Sequence, residues 1–205
     1  MSIDDERVRF YFRNRVQIEE WAALRTEAAA AVDDWMEQLG PDCTELAQSL
    51  GPDVRLRANV GKDQAYPSFR LRHVAWAIND DDDLACVALE WARNQTTMRK
   101  GYMPYVGVRS PKAHTIGIAL RNSEEIRLAR LTRKDLHSAA SAWWPAYSYV
   151  MPPGDFPLSV DAYRESLLDA LRLAWAAYEP IVTNVLAAVA ASGAPATPVP
   201  VSASE

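Results

Sequence analysis

Residues 54–73 run VRLRANVGKDQAYPSFRLRH. Val54, Leu56, Ala58 and Val60 alternate with Arg55, Arg57 and Asn59. Phe69, Leu71 and His73 alternate in the same way with Arg70 and Arg72. A two-residue period belongs to a half-buried strand, whose successive side chains point to opposite faces. The segment from Gly61 to Pro67 is short and rich in turn formers, so the two strands are expected to be antiparallel neighbours. Pairing Arg57 with Arg70 then sets Arg55 opposite Arg72. All four guanidiniums share one sheet face, where like charges directly opposite each other cost stability and call for compensation.

Downstream the strand pattern continues. Residues 84–91, LACVALEW, form an apolar run suited to a central strand. Tyr105 to Arg109 and Thr115 to Leu120 suggest two more strands around Ser110-Pro111. Trp143 to Met151 (WWPAYSYVM) reads as a final edge strand or an extended aromatic segment, because Pro145 cannot sit in a central strand.

Helices flank this region. Arg7 to Arg15 suggests a first short helix. Ile18, Trp21, Leu24, Ala28, Val32, Trp35 and Leu39 then recur at steps of three and four, and Gly40-Pro41 is expected to end that helix. A shorter helix is expected from Asp42 to Leu50, with Asp42 as its cap. Another should start at the cap Ser123 and run to about Ala140. A long one is expected from Val160 to Ala191, kinked or divided by Pro180. The expected fold is therefore α+β: a mostly antiparallel sheet of about four to six strands over residues 54–120, with 143–151 as a candidate addition, flanked by N-terminal helices and a long C-terminal helix. Residues 1–191 are expected to form one compact domain. Residues 192–205, rich in Pro, Ala and Ser, are expected to be a flexible tail. Trp21, Trp35, Leu56, Leu71, Val87, Leu89, Leu167, Leu171 and Trp175 are the expected core.

The 205 residues carry a net charge of -5, which conceals a segregation. Residues 1–54 hold 5 Lys/Arg against 12 Asp/Glu, residues 55–134 hold 15 against 8, and residues 135–205 hold 2 against 7. The chain is thus acidic, basic and acidic again. Hydrophobic residues at 49% exclude a mostly disordered chain. No stretch reaches about 18 consecutive apolar residues, which argues against a membrane span. The charged start MSIDDERVRF is unlike a signal peptide, and two cysteines, Cys43 and Cys86, fit a reducing compartment, so a cytoplasmic location is expected.

Candidate sites follow from the charges. Arg55, Arg57, Arg70 and Arg72 offer planar, bidentate donors suited to phosphates or carboxylates. The competing reading is that they pair with the chain's own acidic helices or are merely solvated. A second basic patch, Arg127, Arg130 and Lys134, falls at helical spacing, with the same choice between partner binding and solvation. Trp143, Trp144, Tyr147 and Tyr149 could form a binding platform or pack beneath the C-terminal helix. His73, His114 and His137 lack metal-ligand spacing. No Walker A, GxGxxG or GxSxG motif is present.

Asp82, Asp83 and Glu90 form an alternative catalytic set, with Mg²⁺ as the implied cofactor. Acidic groups at a turn and along the next strand are loosely similar to the order in PD-(D/E)XK nucleases. Glu90-Trp91-Ala92 departs from that family by lacking its acidic-x-Lys lysine, and no Pro-Asp precedes it in the required context. The preferred expectation needs no cofactor or catalytic residue: a cytoplasmic interaction module within a larger assembly of prokaryotic style. Its basic sheet face would bind an acidic protein or a nucleic-acid backbone, and its acidic helices would face another protein or a second copy of the chain.

Overall fold

The computed structural model describes residues 5–79, 82–94, 103–132, 139–154 and 158–192. Helices α1 (Glu6–Arg13), α2 (Arg15–Glu37) and α3 (Gly40–Leu50) lead into strands β1 (Val54–Asn59) and β2 (Ser68–His73). A single 3-10 turn, Val74–Trp76, precedes β3 (Cys86–Glu90) and β4 (Tyr105–Arg109). Helices α4 (Thr115–Asn122) and α5 (Glu124–Thr132), strand β5 (Ala146–Tyr149) and helix α6 (Val160–Ala191) complete the order. The five strands form one antiparallel sheet in the order β1-β2-β3-β4-β5. The fold is α+β.

The alternation in 54–73 does what the sequence implies. Arg57 pairs with Arg70 and Arg55 with Arg72. The apolar run at 84–91 supplies the central strand β3, in which every residue is buried. One face of the sheet, carrying Leu71, Val87, Leu89 and Val108, is covered by α3 and α6. Cys43 and Leu46 of α3 and Leu167, Leu171, Trp175 and Tyr178 of α6 complete this core. Burying each Leu or Val there contributes roughly 1.5–3 kcal/mol. α6 remains one element through Pro180. By length and composition it is also apolar enough to cross a membrane, a property that counting uninterrupted apolar residues overlooks. Eight of its residues from Tyr163 to Val182 are buried in the protein's own core.

Several expectations are corrected. Thr115–Leu120 is not a strand but the body of α4. His114 caps it by accepting from the Ile116 amide at 3.1 Å, and Ile116 and Leu120, one helical turn apart, are buried while Ile118 is exposed. Gly40-Pro41 does not merely end α2, because Gly40 and Pro41 form the first turn of α3, with Asp42 inside that turn and Leu39 at the cap position. Ser123 caps α5 as expected, its Oγ accepting from the Ile126 amide at 3.3 Å; α5 is described as far as Thr132, and residues 133–138 of the expected helix lie outside the described residues. Trp21 is 62% exposed, since α2 buries only Ala29, Asp33 and Met36 and the preceding turns have no core to meet. Trp35 and Leu56 are half-buried. The expected tail lies, from residue 193 onward, outside the described residues.

Candidate functional site: the open face of the sheet

With α3 and α6 on one face, period-two alternation sends every second strand residue to the other. Three cross-strand rows define that face. Asn59, Ser68, Glu90, Tyr105 and Tyr149 form the first. Arg57, Arg70, Ala88, Gly107 and Tyr147 form the second. Arg55 opposite Arg72, and Cys86 opposite Arg109, form the third. The face therefore runs from basic at β1 and β2 to aromatic at β5, with Glu90 in the middle.

Compensation for the crowded guanidiniums comes mainly from the turn before β3. Arg72 Nη1 donates to Asp83 Oδ1 at 2.7 Å and to the Asn79 carbonyl at 3.2 Å. Arg57 Nη1 lies 3.9 Å from Asp83 Oδ2. Arg55 donates to the carbonyls of Pro52 and Val54. Arg70 Nε donates to Ser68 Oγ at 2.9 Å. Where the competing reading expects pairing with the acidic helices or solvation, these partners among the described residues are instead Asp83, the Ser68 hydroxyl and backbone carbonyls. Arg72 Nε is buried with no hydrogen-bond partner among the described residues.

Arg109 joins this set from β4. Its Nε sits 3.6 Å from Glu90 Oε2, and its guanidinium lies 5.5 Å from the Trp143 ring centroid, within cation–π range. Tyr105 Oη donates to Glu90 Oε1. Burial raises the Glu90 carboxyl above its ordinary range, opposed by the Tyr105 hydrogen bond and by Arg109 and Arg70. Burial, with help from Glu90, pushes the Tyr105 phenol up. Burial first, then the Arg109 and Arg57 cations, makes Arg70 hold its proton less tightly, although Cys86 and Glu90 act the other way. Burial pushes the Cys86 thiol up to about 12, leaving it protonated and inert at neutral pH.

A cavity of about 530 Å³ opens here. Arg70, Glu90 and Arg109 lie at its base, Tyr66 and Gln64 of the β1–β2 loop form one side, and Trp143 and Trp144 form the other. Tyr105 is the aromatic hub, edge-to-face with Trp144 at 5.0 Å, Tyr147 at 5.7 Å and Tyr149 at 5.9 Å. Tyr147 and Tyr149 therefore face away from α6, so the expectation that this segment packs beneath the C-terminal helix is corrected. Gly107 makes the geometry feasible. A Cβ there would lie 2.1 Å from the Ala146 carbonyl oxygen and 2.6 Å from Tyr147 Cα, so only glycine lets β5 approach this closely.

The remaining candidates are dispersed. Asp83 is held by Arg72 and Arg57, Glu90 by Tyr105 and Arg109, and the Asp82 amide by Asn79 Oδ1 at 2.8 Å. Among the described residues no three His, Cys, Asp or Glu side chains gather as a metal site. Arg127 is paired with Glu124 on the surface of α5, Arg130 lies on the same helix, and Lys134 falls outside the described residues, as does His137. Two members of the open face, Glu90 and Arg109, do not group with the four arginines on sequence. The signal for them is a carboxylate closing an apolar strand and an arginine in phase with the outward positions of β4. No protein-family model, curated protein or solved structure matches this chain.

Proposed function

We propose that the protein is a non-catalytic, cytoplasmic interaction module of a larger prokaryotic assembly, and that its open sheet face binds a polyanion, a single-stranded nucleic acid before an acidic protein. The observation that carries this reading is the composition of the face. Among the described residues, Arg55, Arg57, Arg70, Arg72 and Arg109 share it with two carboxylates, Asp83 and Glu90, and Asp83 is occupied by two of the arginines. The cavity beside them is walled by aromatic rings, and Trp143 and Tyr66 are 47% and 57% exposed. A basic track next to exposed aromatic rings is the combination that follows a phosphate backbone while stacking bases. An acidic protein would use the guanidiniums but would have less need of the flat rings.

The test is fluorescence anisotropy with a labelled single-stranded oligonucleotide over a range of salt, alongside an acidic polypeptide of similar charge. Oligonucleotide binding should weaken with salt as counterions return to the phosphates. Arg55→Ala with Arg70→Ala should lower the affinity and reduce the salt slope by about one for each phosphate that is no longer neutralised. Trp143→Ala should weaken the oligonucleotide and leave the polypeptide unchanged. Tighter binding of the acidic polypeptide, insensitive to Trp143→Ala, transfers the reading to a protein partner. If neither probe binds at low salt, the polyanion reading fails.

A further inference from the structure

The second surface that calls for a partner is the amino-terminal helical arm. α1 has no buried residue, and α2 has none before Ala29. Yet the arm is rich in large apolar side chains. Phe10, Phe12, Val16, Trp21 and Leu24 are all more than half exposed. Scattered exposed leucines are ordinary, but a contiguous stripe on one helix face is the mark of an interface. Trp21, Leu24 and Ala28 follow each other at steps of three and four and run directly into Val32 and Trp35, which pack against the core. The buried residues of α2, Ala29, Asp33 and Met36, lie on the adjacent face, so the stripe flanks the helix's core-facing side and is left in solvent.

The charges along the arm say what covers it. Residues 5–15 hold Arg7, Arg9, Arg13 and Arg15 against Asp5 and Glu6. Residues 19–34 expose Glu19, Glu20, Glu27 and Asp34 against Arg25, Asp33 being buried against the core. The arm is positive at its start and negative towards its end, with Trp21 near the middle. A second copy laid parallel would set like charge against like. A second copy laid antiparallel sets basic ends against acidic ends and brings the two Trp21 stripes together. Two-fold symmetry of this kind is the commonest closed arrangement of identical chains. We infer that the protein is a homodimer in which the α1–α2 arms of two copies pair antiparallel through Trp21 and Leu24. This inference is independent of what the sheet face binds.

The test is sedimentation equilibrium of the full chain over a range of concentrations, with near-UV circular dichroism as the check on folding. The wild type should be dimeric. Trp21→Glu with Leu24→Glu should make it monomeric with an unchanged fold, since neither side chain supports the core. Arg7, Arg9 and Arg13 changed together to Glu should weaken the dimer roughly tenfold or more. Adding Glu20→Lys and Glu27→Lys to the same chain should restore it. Orientation is read by disulfide trapping, because Cys43 and Cys86 are buried and do not interfere. A mixture of Arg9→Cys and Asp34→Cys chains should cross-link to each other, and Arg9→Cys alone should not. A monomeric wild type, a dimer that survives the Trp21/Leu24 change, or efficient cross-linking of Arg9→Cys with itself would each overturn the inference.

Discussion

The Arg72–Asp83 pair is where the open face can be tested most sharply without any ligand. Both partners are largely buried, with side chains 14% and 6% exposed, and the two charges meet at 2.7 Å. An exposed pair of this kind is worth about 0–1 kcal/mol. Removing one member of a buried pair instead strands an uncompensated charge and costs about 3–5 kcal/mol. Arg57, 3.9 Å from the other oxygen of Asp83, stays behind and offsets part of that loss. Arg72→Ala should therefore destabilise the protein by about 3 kcal/mol, at the low end of the buried range. For a chain of this size that corresponds to roughly 6–12 °C in Tm. Removing both charges, in Arg72→Met with Asp83→Asn, should cost less, about 1–2 kcal/mol, because only the more exposed Arg57 then loses a neighbouring carboxylate. The assay is urea unfolding followed by tryptophan fluorescence, with Arg72→Met, Asp83→Asn and their combination closing a double-mutant cycle. A single-variant cost below about 1 kcal/mol, or a coupling within about 0.5 kcal/mol of zero, would show that Asp83 is solvated and that the face is not held together from the β3 side.

Gly107→Ala should destabilise by about 3 kcal/mol or prevent β5 from pairing, because the new methyl meets strand backbone that cannot step aside; hydrogen exchange should show the loss first at Tyr147 and Tyr149. Asp33 accepts hydrogen bonds from Trp91 Nε1 at 3.1 Å and from the Asn94 amide at 2.7 Å, and Asn94 holds a φ of 58°. Asp33→Ala leaves both donors without that acceptor and should cost roughly 2–4 kcal/mol in chemical unfolding, whereas Asp33→Asn should recover part of it. Glu90 binds its proton more tightly folded than unfolded, so its contribution is fully present below its ordinary value of 4.5 and is lost as pH rises through the higher folded value. Urea midpoints measured from about pH 4 to about pH 8 should therefore fall less with pH in Glu90→Gln than in the wild type; an equal slope in both would rule out a raised Glu90.

The hairpin at the head of the sheet is legible because its two segments alternate without interruption. Any slip of one residue would turn Leu56 and Leu71 towards solvent, so the register Arg57 to Arg70 has a single acceptable solution. The long final helix and the edge position of β5 are legible for similar reasons, the first from an extended apolar period and the second from Pro145. Thr115–Leu120 misleads because Ile116, Ile118 and Leu120 satisfy a strand period as well as Ile116 and Leu120 satisfy a helical one. The deciding contribution, the His114 cap, is a residue seldom used in that role. Trp21 misleads because amphipathic spacing reports that a helix has an apolar side and not where that side ends up. The site is half legible. Four arginines can be set on one face from two strands, but Glu90 and Arg109 reach it through the pairing of β3 with β4, and the connection between those strands carries no turn signal that fixes a register.

The order β1-β2-β3-β4-β5 also governs how the chain can assemble. Every ladder joins strands that are neighbours along the sequence, so β1 to β4 can pair in order, whereas β5 joins only after α4 and α5, which separate it from β4, have been made. Its cover does not arrive in the same order. α3 precedes the sheet and shields β1, whereas β3 and β4 are roofed by α6, the last described element. A nascent chain emerging as far as Tyr149 thus holds Val87, Leu89, Val106 and Val108 on a paired but uncovered surface until α6 follows. Stalling or truncation in that interval yields an adhesive sheet rather than a smaller stable protein.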